Sequence, residues 1–162
     1  MTYRAGQGID VHRFHAGRPL RLCGVEISEG PGLEGHSDAD VALHALTDAV
    51  LGAVGAGDLG EHFPVGDPLW RDAESGRLLA HALKLASDRG FAPVNCDLTI
   101  VGERPRLARH RQAMRRSVAE LMGLALEEVS VKATTSEGMG WIGRGEGLAA
   151  LAVVLMKRRE SG

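Results

Sequence analysis

Gly8-Ile9-Asp10-Val11-His12-Arg13 closes a strand pattern over residues 3–11, and the glycine loop and helix pattern after it decide the fold. On a strand, residues two apart point to the same side, so Asp10 and His12 can converge on one point. After Gly30-Pro31-Gly32 and Gly35 comes His36-Ser37-Asp38-Ala39-Asp40-Val41-Ala42-Leu43-His44. Ser37 with Asp40 three residues on has the form of a capping box, with Asp in place of the preferred Glu or Gln. A helix is expected from there to about residue 54, with Leu43, Leu46, Val50 and Val54 as its buried stripe. Asp40, His44 and Asp48 form a separate polar row at i, i+4 and i+8, unusual on a helix otherwise built of Ala, Val and Leu.

Working outward, residues 20–27 read as a second strand and residues 55–72 as a long irregular stretch. A helix is expected over 73–89, stopped by Gly90, and a strand over 95–101. In that strand Cys96, Leu98 and Ile100 face one way, and Asn95, Asp97 and Thr99 the other. Pro105 suits the opening of a third helix, because its missing N–H costs nothing there; that helix ends near Gly123. Strands over 129–133 and 147–156 complete the pattern. Helices alternating with strands in one chain predict an α+β fold: a single-domain α/β sandwich over residues 1–162, with helices packed on a mixed sheet.

The 162 residues are 44% hydrophobic and 25% charged, which fits a globular chain with a real core. A net charge of −2 offers no global basic field for nucleic acid or an anionic membrane. No stretch is apolar enough for a membrane span, and the early strand pattern leaves no room for a leader peptide. Cys23 and Cys96, each in a strand-like stretch, read as small buried residues, so a cytoplasmic setting is expected.

One carboxylate and two imidazoles, Asp10, His12 and His44, make a three-ligand set that leaves a tetrahedral Zn²⁺ one open position for catalysis. An Asp-x-His pair alone is more often merely packed; the polar row on the helix favours the metal. In Lys132-Ala133-Thr134-Thr135-Ser136-Glu137-Gly138, hydroxyls and free backbone N–H groups can hold phosphate, and the carboxylate can hold Mg²⁺. A plain turn explains those residues equally well. Gly143-Arg144-Gly145-Glu146-Gly147 reads as a turn with a surface ion pair. The arginines of 104–116 read as a solvated face, since no aromatic interleaving or nucleic-acid motif accompanies them. Gly102-Glu103-Arg104-Pro105-Arg106-Leu107 has the form of a strand-exit loop that can line a pocket.

These blocks, with Gly57-Asp58-Leu59-Gly60, resemble the 2-C-methyl-D-erythritol 2,4-cyclodiphosphate synthase family in order and over nearly the whole chain. The resemblance implies a phosphorus–oxygen lyase of the non-mevalonate isoprenoid pathway, with Zn²⁺ and a second divalent ion, Mg²⁺ or Mn²⁺. It implies a homotrimer around a central cavity, with active sites between subunits. The 2-phosphate of 4-diphosphocytidyl-2-C-methyl-D-erythritol 2-phosphate would attack its own β-phosphorus, releasing CMP. Asp10, His12 and His44 match zinc ligands; His36 and Thr135 match transition-state stabilisers; Glu137 matches a ligand of the second ion. Ser37, Asp58, Leu59, Gly60, Phe63, Pro64, Val65, Gly66 and Asp67 match the erythritol-phosphate side. Gly102, Glu103, Arg104, Pro105, Arg106, Leu107, Ala108, Thr134 and Ser136 match the cytidine and diphosphate side. Trp141 and Arg144 match the border of the central cavity, which in the family can hold isoprenoid diphosphates. Val65 stands where an acidic residue is usual, Trp141 where Phe is common, and Ser136 where Thr is frequent. A trimeric isoprenoid-diphosphate sensor without catalysis and a metal-dependent phosphohydrolase are the alternatives.

Overall fold

A computed structural model describes residues 1–159 except 65, 67, 71 and 72. Its framework is a mixed five-stranded sheet of β1 (Tyr3–His15), β4 (Gly32–Leu33), β5 (Phe91–Val101), β6 (Val129–Thr134) and β7 (Gly147–Arg158). Their order across the sheet is β4-β1-β7-β5-β6. Only β5 and β6 run parallel; the other neighbours are antiparallel. Period-2 alternation divides the sheet. Leu98, Ile100, Leu148, Ala150, Ala152 and Val154 are buried under helices, whereas Ile9, Val11 and Val153 on the opposite face are 61%, 51% and 49% exposed.

The helical layer consists of α1 (Val41–Ala53), α3 (Ser75–Asp88) and α4 (Arg111–Met122), with a short helix α2 (Leu59–His62) beside α1 and another, α5 (Gly140–Gly143), beside β7. α1 is the central element and is buried almost all round, so its polar residues lie inside the protein. It lies directly on the backbone of β1 because Gly6 and Gly8 face it. A Cβ at Gly8 would run into the Ala45 carbonyl oxygen, and one at Gly6 into that of Ala49. No helix among the described residues is long and apolar enough to cross a membrane.

Several expected boundaries move. β1 continues to His15 because its end pairs with β4. The strand expected over 20–27 is a hairpin of β2 (Leu20–Leu22) and β3 (Val25–Ile27). Cys23 and Gly24, both at positive φ, make its turn. Cys23 is therefore buried in a turn rather than a strand, and Cys96 is buried in β5. Burial pushes the Cys96 thiol up to about 12 and that of Cys23 well above the ordinary range, so neither is a nucleophile. α1 is capped by Asp40, not Ser37: the Asp40 carboxylate accepts from Leu43 N. Pro105 does not open α4. Leu107 is buried and pins the chain two residues later; a 3-10 turn, Ala108–His110, comes next, and α4 starts only at Arg111. Arg115 is half-buried rather than fully solvated, and its guanidinium donates to the Val129 carbonyl at the start of β6 and to the Leu126 carbonyl just before it.

Candidate active site

Where α1 crosses β1, three side chains meet. Asp10 Oδ2 lies 2.8 Å from His12 Nε2 and 3.0 Å from His44 Nδ1, and the two nitrogens are 3.1 Å apart. A tetrahedral ion with bonds of about 2.0–2.1 Å separates its donors by about 3.3 Å. The observed triangle is only a few tenths of an ångström tighter, and one carboxylate with two imidazoles is a zinc-type donor set. These are the only three described residues that group in this way.

Each imidazole is oriented from behind. His12 Nδ1 lies 2.5 Å from the Glu34 carbonyl oxygen, which fixes that proton and turns Nε2 toward the triangle. His44 Nε2 lies 3.0 Å from both Ser37 Oγ and Ser75 Oγ, which leaves Nδ1 as the donor atom. Burial works to raise the Asp10 carboxyl, but hydrogen bonds and attraction from His12 and His44 outweigh it and bring it down to about 2. Burial likewise opposes charge on His12, yet the bond and charge of Asp10 raise it above the usual histidine value. The set thus holds a carboxylate at all ordinary pH values, and a cation arriving while His12 is in its charged form must displace a proton from it.

The triangle forms one end of a cavity of about 260 Å³. His36, Ser37, Leu59, Phe63, Pro64 and Gly66 line it too, and Trp70 and Leu78 add apolar wall. Phe63 packs edge-on against Trp70 at 4.6 Å between ring centres. Asp58 and Gly60 are not among the described lining residues. The Asp58 side chain caps α2 by accepting from Glu61 N. Val65 and Asp67 lie outside the described residues. Asp48, the last of the polar row, does not reach the triangle; it accepts from Leu59 N at 2.7 Å and ties α2 to α1. Burial raises its carboxyl.

The other expected site residues gather elsewhere. Val101 pairs with Thr134 and Gly102 N donates to the Thr134 carbonyl, so the 102–108 and 134–137 loops leave the sheet side by side. Glu103 Oε1 joins them, accepting from Ser136 N at 2.9 Å and Gly138 N at 3.3 Å, with Ser136 Oγ also at 2.9 Å. Those hydrogen bonds hold the Glu103 carboxyl below the usual range. Two N–H groups expected to be free for phosphate are therefore taken by Glu103. Thr135 Oγ1 lies 3.3 Å from Glu137 Oε1, and both residues are exposed. Arg104 lies over the Phe14 ring, Leu107 is buried, and Arg106 and Ala108 are exposed. No described residue of these loops lines the metal-site cavity. Trp141 borders a second pocket with Val11, His12, Arg13 and Glu146, and Arg144 pairs with Glu146 at 2.7 Å.

Three contributors lie outside the expected site residues. Arg18 clamps the Gly35 and Ser37 carbonyls on either side of His36. Ser75 and Asp38 stand behind His44.

The profile of the YgbB family matches residues 3–157. The chain belongs to the YgbB family. Among YgbB relatives, it is 51% identical over 158 residues to the 2-C-methyl-D-erythritol 2,4-cyclodiphosphate synthase of Roseobacter denitrificans, covering 98% of this chain and 99% of that one. It is 56% identical over 153 residues to the bifunctional enzyme IspD/IspF of Hyphomonas neptunium, covering 94% of this chain but 40% of that one. The chain thus spans about two-fifths of such bifunctional relatives. Among solved structures, the bifunctional IspDF of Campylobacter jejuni matches with a TM-score of 0.94 at 42% identity, over 98% of this chain and 43% of that chain. A 2C-methyl-D-erythritol-2,4-cyclodiphosphate synthase in a CDP-bound form matches with a TM-score of 0.88 at 42% identity, over 95% of this chain and all of that one.

Proposed function

We propose that this chain is a zinc-dependent 2-C-methyl-D-erythritol 2,4-cyclodiphosphate synthase of the non-mevalonate isoprenoid pathway, with residues 1–162 as one catalytic domain. The observation that carries the reading is the Asp10–His12–His44 triangle opening onto a cavity beside His36, in a chain that aligns with nearly the full length of a synthase so named. The substrate is 4-diphosphocytidyl-2-C-methyl-D-erythritol 2-phosphate. Its 2-phosphate attacks the β-phosphorus, the bond to CMP breaks, and the eight-membered cyclic diphosphate closes.

Such a reaction needs alignment and charge neutralisation more than a covalent nucleophile, because the attacking group is already an anion. Zn²⁺ bound at the triangle supplies positive charge for the diphosphate oxygens. Asp10, His12 and His44 hold it. His36, at the cavity wall, donates to developing negative charge. Ser37, Leu59, Phe63, Pro64 and Gly66 orient the erythritol phosphate and limit access of water, with Asp58, Gly60, Val65 and Asp67 on the same segment.

The loops 102–108 and 134–137 serve the cytidine and diphosphate of a neighbouring copy, with Thr135 as its stabiliser and Glu137 toward a second divalent ion, Mg²⁺ or Mn²⁺. Two observations support a shared site. Those loops contribute nothing described to the cavity of their own chain, and the open sheet face carries exposed Ile9, Val11 and Val153, the kind of apolar patch that marks an interface. The assembly read from this is a homotrimer, with Trp141 and Arg144 near its axis and room there for an isoprenoid diphosphate. The setting is cytoplasmic, in keeping with two free buried cysteines. His44→Ala tests the reading: zinc content and turnover should both collapse while the assembly persists. Full turnover by a zinc-free variant would refute it.

A further inference from the structure

We propose that Ser75 and Asp38 are positioning residues that fix the proton and orientation of His44, and through them the zinc affinity of the site. The inference rests on reading Asp10, His12 and His44 as the zinc ligands. His44 directs Nδ1 at the triangle, so Nδ1 needs its lone pair there and Nε2 must carry the ring proton. That proton meets two hydroxyl oxygens at 3.0 Å, Ser37 Oγ and Ser75 Oγ. Ser37 Oγ already accepts from Ala39 N at 3.1 Å. Ser75 Oγ, in a residue with no exposed surface, accepts from His44 and passes its own hydrogen to Asp38 Oδ1. Asp38 is held in turn: Oδ2 accepts from Ser75 N at 3.2 Å, Oδ1 from Asp40 N at 3.3 Å, and its own N–H donates to the Ala73 carbonyl.

Every hydrogen in this carboxylate–hydroxyl–imidazole relay therefore has one direction. A carboxylate at its far end makes Nδ1 a better donor and resists rotation of the ring. The same contacts explain how α3 begins. Its N-cap, Glu74, makes no side-chain capping bond, and the first helical N–H goes instead to Asp38, 37 residues upstream. The start of α3 is thereby locked to the loop that carries His36. His12, by contrast, is oriented by a backbone carbonyl that substitution cannot remove.

Ser75→Ala deletes the hydroxyl and keeps the backbone N–H to Asp38, so the helix start survives. Zn²⁺ affinity of the demetallated protein, read by competition with a chromophoric chelator, should fall roughly 10- to 100-fold. Asp38→Asn keeps an acceptor without the charge and should fall by less. The visible spectrum of the Co²⁺-loaded protein should shift in both variants. The thermal midpoint of the metal-free protein separates the relay from a merely structural role. Wild-type zinc affinity in Ser75→Ala, with or without a lower midpoint, would overturn the relay; so would wild-type affinity in Asp38→Asn, should Ser75→Ala fail to fold. Failure of the wild type to bind Zn²⁺ or Co²⁺ would instead refute the metal site itself.

Discussion

Gly8→Ala tests whether the seating of α1 on β1 builds the metal triangle. The added Cβ would meet the carbonyl oxygen and carbon of Ala45 and the amide nitrogen of Ala49, all backbone atoms of α1. No rotamer relieves a clash with backbone, so α1 must retreat by roughly 1 Å or more to reach ordinary contact distance. Buried almost all round, α1 has little room to do so. Overpacking of this kind costs about 1–3 kcal/mol, and in a chain of this size each kcal/mol lowers Tm by about 2–4 °C. The chemistry suffers more than the fold. His44 precedes Ala45 and moves with it, while metal–ligand distances tolerate only about ±0.2 Å. Thermal unfolding and zinc competition on the same samples should show a Tm lower by several degrees and a larger, separate loss of zinc affinity. Gly52→Ala is the control: it is exposed in the same helix, its Cβ would make only ordinary contact, and higher helix propensity should stabilise it by up to about 1 kcal/mol. A Gly8→Ala protein with unchanged Tm and zinc affinity would refute the account of how α1 sets the site.

The Asp40 carboxylate is fully buried and accepts from Cys23 N, Gly24 N and Leu43 N, so Asp40→Ala removes a helix cap and orphans two turn amides. A loss of roughly 3–5 kcal/mol is expected in urea unfolding, and a loss under about 1 kcal/mol would contradict it. Arg18→Met frees the two carbonyls that flank His36. It should cost about 2 kcal/mol and lower turnover with little change in zinc content; loss of zinc in parallel would place Arg18 elsewhere in the scheme. In the metal-free protein, His12 titrates above its ordinary 6.5, so the stability from its protonated form is full below about that value and is lost as pH rises through the raised one. Zinc must displace that proton, and the Asp10 carboxyl near 2 is already ionised, so zinc affinity should rise with pH over the same interval and then level. Calorimetric titrations in two buffers should detect the released proton near pH 6; affinity independent of pH would contradict the assignment.

The meeting of Asp10, His12 and His44 is legible in the sequence because two independent periodicities converge on it. Period 2 put Asp10 and His12 on one side of a strand, and helical spacing put His44 on a polar row that no solvent-facing need explained. The cap of α1 is not legible in the sequence because Ala39 adopts a positive φ, which turns the chain so that Asp40 rather than Ser37 starts the helix. Nothing about an alanine announces that. Ser75 was invisible for a different reason. Its partner Asp38 is 37 residues away, and their contact exists only once α3 has packed beside the loop that carries His36. The hydroxyls and glycines of 134–138 did signal a polar turn. That Glu103 occupies two of its N–H groups depends on the parallel pairing of β5 with β6, a long-range contact with no local trace.

³¹P NMR of the purified protein with Zn²⁺, Mg²⁺ and 4-diphosphocytidyl-2-C-methyl-D-erythritol 2-phosphate tests the central claim most directly. The account predicts cyclic diphosphate and CMP in equal amounts, with turnover lost on chelation and restored by zinc. Absence of the cyclic product from a metal-loaded, assembled protein, or release of inorganic phosphate in its place, would contradict it.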